Sequence, residues 1–84
     1  MKFNNVVITE ESLDKARQFF IDNCQSQINA AQSGEIKVND LDKFIDWQIE
    51  SMLDYESGRY DHGFTMLQRA YYIQTGESVA LLPK

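Results

Sequence analysis

The strongest constraint on this chain is an apolar stripe with no break in it. Leu13, Ala16, Phe20, Cys24, Ile28 and Ala31 recur at three- and four-residue steps, the spacing that puts residues on one face of an α-helix. Thr9 reads as the N-cap, with Glu10 and Glu11 in the first turn where the helix dipole favours acids. Ser33-Gly34 supplies the stop. A helix over residues 10–33 is about 35 Å long. A globule of 84 residues has a radius of gyration of about 12 Å, hence a diameter of about 30 Å. A straight first helix therefore spans or overhangs its own domain. Either it breaks near Asn23, or its far half packs on another copy.

The remaining elements are shorter. Val6 and Ile8 can share one face of a strand. Ile36 and Val38 alternate with polar residues and are expected to pair with that segment as a minor ribbon. Asn39 or Asp40 caps a second helix over 41–56, with Leu41, Phe44, Ile45, Ile49, Met52 and Tyr55 on its apolar face and Ser57-Gly58 as its stop. Thr65 and Gln68 have the spacing of a capping box and open a third helix over 65–74. Thr75-Gly76 ends it. The tail contains Val79, Ala80, Leu81 and Leu82 and is expected to fold back onto the helices. The fold class is mainly α: one domain, residues 1–84, of three helices with a short extended N-terminal segment.

Size and charge narrow the function classes. A chain this short buries only about 60–65% of its unfolded surface, and its single cysteine excludes an internal disulfide. Small domains in that position gain stability from a partner subunit, so a homodimer is expected. No apolar run is long enough to span a membrane. The N-terminus lacks the pattern of a signal peptide, and a lone cysteine suits a reducing compartment such as the cytoplasm. The net charge is −5, and residues 40–57 account for all of it, with Asp40, Asp42, Asp46, Glu50, Asp54 and Glu56 against Lys43. Such a chain is ill suited to nucleic acid, whose binding depends on neutralising phosphates.

Few residues invite chemistry. Asp42, Asp46, Glu50 and Asp54 stand at i, i+4 steps, a line of like charges that weakens its helix by a few tenths of a kcal/mol per pair. The plain reading is a solubilising face. The functional readings are a docking strip for a basic partner, or mimicry of a phosphate row that inhibits a nucleic-acid-binding protein. Carboxylates on one straight helix point outward in parallel, which disfavours a metal site. Tyr60, Asp61 and His62 would centre any small-ligand or enzymatic site, but no nucleophile or metal motif accompanies them. Cys24 lies on the apolar stripe and reads as a small core residue. No catalytic, cofactor-binding or metal-ligating residue is therefore assigned.

Interaction residues are the better candidates. Asn23, Gln25, Ser26, Gln27, Asn29 and Gln32 crowd the far half of the first helix, where no residue is charged. That is either a solvated face or a subunit contact, in which amides can hydrogen-bond without desolvating a charge. Phe19, Gln27, Ala30 and Trp47 are the candidates for self-association. The acidic line, together with Arg59, Tyr60, Arg69 and Tyr72, is the candidate surface for an unidentified protein partner, since tyrosine and arginine are favoured at interfaces.

Gly58-Arg59-Tyr60-Asp61-His62, Phe64-Thr65, Gln68-Arg69-Ala70 and the ending Gln74-Thr75-Gly76-Glu77-Ser78 resemble small proteins encoded in bacteriophages and prophages of Gram-negative bacteria. The resemblance covers about a third of the chain and brings no activity, cofactor or catalytic residue with it. It implies a small accessory protein made inside a bacterial cell. Together these readings lead to the expectation of a non-enzymatic protein that acts by protein–protein interaction.

Overall fold

The chain starts with a turn that only certain residues can make. Asn4 and Asn5 both adopt positive φ, 51° and 65°, as a two-residue type I′ hairpin requires. The turn pairs β1 (Lys2–Phe3) with β2 (Val6–Val7) in antiparallel register, Lys2 opposite Val7 and Phe3 opposite Val6. The expected pairing of Val6–Ile8 with the Ile36–Val38 stretch is thus corrected. A two-residue loop closes at far lower entropic cost than one spanning the first helix. Ile36 instead donates its N–H to the Ala30 carbonyl at the end of that helix. The computed structural model describes residues 1–78, and the expected packing of the 79–82 tail lies outside them.

Three helices follow: α1 (Glu10–Ser33), α2 (Leu41–Ser57) and α3 (Phe64–Thr75). The Thr9 hydroxyl caps α1 by accepting from the Ser12 N–H, and the Asp40 carboxylate caps α2 by accepting from the Lys43 N–H. Each helix ends at a left-handed glycine, Gly34, Gly58 or Gly76, as the three glycine stops foretold. The capping box at Thr65 does not form. Tight turns, Asp61 N–H to Gly58 C=O and Gly63 N–H to Tyr60 C=O, bring the chain into helical geometry earlier. Gly63 becomes the N-cap, without a side-chain bond, and Thr65 falls inside the first turn.

Of the two alternatives for the first helix, the break near Asn23 is absent; α1 runs unbroken for 24 residues. The molecule is accordingly elongated, 42 × 30 × 19 Å with a radius of gyration of 14.9 Å, against the roughly 12 Å of a compact chain this size. Both other helices pack on α1. The core lies at its N-terminal half, where Leu13 and Ala16 meet Met66, Ala70 and Tyr71 of α3, with Ile8 above them. Gln74 ties the hairpin down by accepting from the Thr9 N–H and donating to the Val7 carbonyl. Among the described residues, α2 is the one helix that packs on the far half of α1.

Candidate functional site

The surface that stands out is made by the far half of α1 and the length of α2. On α1, Cys24, Ile28 and Ala31 are buried. On α2, a helix of 17 residues, nothing is buried. Its apolar residues lean on α1 with one edge and expose the other: Trp47 is 65% exposed, Leu53 61% and Ile49 45%. An amphipathic helix normally buries its apolar stripe, so α2 is covered on one side and open on two flanks.

The two flanks differ. On one, α1 and α2 enclose a groove of about 370 Å³ whose walls include Ile21, Ile28, Ile45, Ile49, Met52 and Leu53. The helical step places Gln27 and Trp47 on the opposite flank, alongside Asn23 and Ala30. Gln27 is exposed and Ala30 half-buried. From Asn23 to Ser33 α1 carries no charge.

The acidic line on α2 is shorter than its spacing suggests. Asp42, Asp46 and Glu50 are exposed and have no cationic partner among the described residues. Asp54 is withdrawn from the line. Its carboxylate accepts from the Tyr60 hydroxyl at 3.3 Å and pairs with Arg59 at 3.5 Å, so the C-terminal end of α2 is bound to the turn that follows it.

The aromatic and arginine candidates form a single file across the molecule. The Arg69 guanidinium lies 3.9 Å above the Phe19 ring and 5.3 Å from that of Tyr72. Phe19 stands edge-on to Phe20, which stacks on Tyr55, which contacts Tyr60. Three of the residues set aside for association, Phe19, Arg69 and Tyr72, are thus partners of one another within the chain. Such contacts contribute on the order of 0.5–1.5 kcal/mol each.

Asp61 belongs to a pairing that its neighbours in sequence do not reveal. Arg17 of α1 grips it with two bonds, Nε to Oδ1 at 2.9 Å and Nη2 to Oδ2 at 2.6 Å. Both side chains are nearly closed to solvent, 16% and 17% exposed. Hydrogen bonding from Arg17, opposed by burial, holds the Asp61 carboxyl below the usual carboxylate range. The same bond raises the Arg17 pKa. His62 beside it is exposed. Cys24 is buried, and burial pushes its thiol up, away from the thiolate that reactivity requires.

Among the described residues no three His, Cys, Asp or Glu side chains gather to hold a metal ion, and no helix is long and apolar enough to cross a membrane. Every buried side-chain nitrogen or oxygen there has a hydrogen-bond partner. The open feature is the projecting α1–α2 hairpin, and its geometry alone carries the functional reading, since no family model, curated protein or solved structure matches this chain.

Proposed function

We propose that this protein is a non-enzymatic interaction module that works as a homodimer, joined through the Trp47 flank of the α1–α2 hairpin. The observation that carries the reading is α2 itself, a 17-residue amphipathic helix with no buried residue. A chain whose core gathers at one end of a 24-residue helix leaves the other end short of apolar cover. A second copy supplies it. The Trp47 flank suits self-contact because α1 offers it Asn23, Gln27 and Ala30 without a charge to desolvate. Trp47 is the large apolar anchor of the kind that dominates interface energetics. A two-fold contact would set this patch against its own copy.

Light scattering behind a sizing column tests the proposal. The expected mass is twice the 9.8 kDa of one chain, falling toward one chain on dilution. Trp47→Glu combined with Gln27→Glu should give a monomer with unchanged far-UV circular dichroism. A wild-type mass of one chain at every concentration would sink the dimer.

A further inference from the structure

The flank opposite Trp47 has a different character. Its groove is lined by isoleucines, Met52 and Leu53, and Glu56 stands at its edge. Asp42 and Asp46 lie four residues apart, seven residues before Ile49 and Leu53 respectively, so they rise along the same side of α2. On α1 no lysine or arginine follows Arg17, and Lys43 is the single base of α2. The groove is apolar along its floor, bordered by the neutral amides of Gln25 and Gln32 on its α1 side, and acidic on its α2 side.

We propose that this groove binds an amphipathic helix of another protein, one with an apolar stripe flanked by lysine or arginine. The apolar floor takes the stripe by helix-in-groove recognition, with anchors at i, i+3 or i+4, and i+7. From Ile21 to Gln32 the groove runs about 17 Å, three turns of a helix. The unpaired carboxylates of Asp42, Asp46 and Glu56 meet the flanking cations, which offsets the like-charge repulsion along α2. A second copy of this chain is a poor occupant, because its own Asp42, Asp46 and Glu56 would be brought against the first set. The proposal rests on the interaction reading but not on the dimer, which uses the other flank.

The test uses the full chain and a fluorescein-labelled amphipathic peptide of about 18 residues, five turns, with leucine on one face and lysine on the other. Fluorescence anisotropy at about 50 mM and about 300 mM salt reads the affinity and its electrostatic share. Binding should weaken at the higher salt. Ile49→Glu with Leu53→Glu should weaken it at least about tenfold, as should replacing the peptide's lysines by glutamate. Asp42→Lys with Asp46→Lys should weaken it and flatten the salt dependence. These side chains are exposed, and far-UV circular dichroism checks that each variant folds.

The proposal is overturned if the peptide is not bound, or is bound equally by the charge-reversed protein. It is also overturned if Leu53→Glu halves the mass in solution, since a second copy then fills the groove. Mass is read on the same samples, which separates the two failures. A monomer that binds the peptide refutes only the dimer, and a dimer that ignores it refutes only the groove.

Discussion

The Arg17–Asp61 pair should behave asymmetrically when each partner is removed. It joins α1 to the turn between α2 and α3, so it sets how the hairpin meets the rest of the molecule. Arg17→Gln leaves the Asp61 carboxylate in a site 17% exposed, with both of its charge-assisted bonds gone. Breaking a fully buried pair this way costs about 3–5 kcal/mol, and an exposed one at most about 1. For two bonds in a mostly closed site we expect about 2–3 kcal/mol. Asp61→Asn leaves Arg17 with Glu10 at 3.3 Å and Asp14 at 3.5 Å. Both acids are well exposed and recover part of the loss, so about 1–1.5 kcal/mol is expected.

Urea unfolding at neutral pH measures both, followed by far-UV circular dichroism. With a melting entropy of about 2.1 cal/mol/K per residue, 2 kcal/mol lowers Tm by about 11 °C. The pH dependence supplies a second readout. A carboxyl whose folded pKa lies below its unfolded value of about 3.9 adds stability that is complete above that value and lost as pH falls through the folded one. The wild type should lose this increment only below about pH 4, and Arg17→Gln should show a shallower fall there. Equal stability of Arg17→Gln and wild type, or a greater loss in Asp61→Asn, would refute the reasoning.

Two further expectations concern the backbone. Gly34→Ala and Gly58→Ala both force alanine into positive φ, but a Cβ at Gly34 meets nothing within 4 Å, whereas at Gly58 it meets Asp61 Oδ2 at 3.0 Å. Urea unfolding should give a loss of about 1 kcal/mol for the first and about 2 or more for the second. Equal losses would mean the carboxylate yields freely. Asn5→Gly should raise Tm by about 3 °C, from about 0.5 kcal/mol, since Asn-Gly suits a type I′ turn better than Asn-Asn. Asn4 is kept in that variant because its amide donates to the Tyr71 hydroxyl at 3.0 Å, and a lower Tm would contradict the turn's importance.

The helices were legible in the residues because their signals are local. The stripe from Leu13 to Ala31, the caps at Thr9 and Asp40 and the three glycine stops all act within a turn or two of their own position. The hairpin was misjudged although its signal was present: Asn4-Asn5 between Phe3 and Val6 marks a tight turn. Thr65 was given a cap's role by spacing alone, while hydrogen bonds upstream at Gly58 and Tyr60 moved the helix start to Phe64. Arg17 escaped notice because its partner is 44 residues away, and charge pairing across that distance leaves no periodic trace. Phe19 looked unplaced beside its stripe for the same reason, its stacking partner being Arg69 on another helix.

The dependence of both other helices on α1 divides the molecule into regions of unequal resistance to opening. Around Met66, only 2% exposed, three elements close on one another, and hydrogen exchange there is expected to require nearly global unfolding. Among the described residues beyond Cys24, α1 and α2 hold each other as a single layer with both flanks uncovered. Opening that layer gives up little buried area and need not disturb Met66, so its amides exchange through a local, lower-energy event. Any molecule that grips both helices adds its binding free energy to that weaker region first. The far end is thus the part of this protein whose order a partner can raise most.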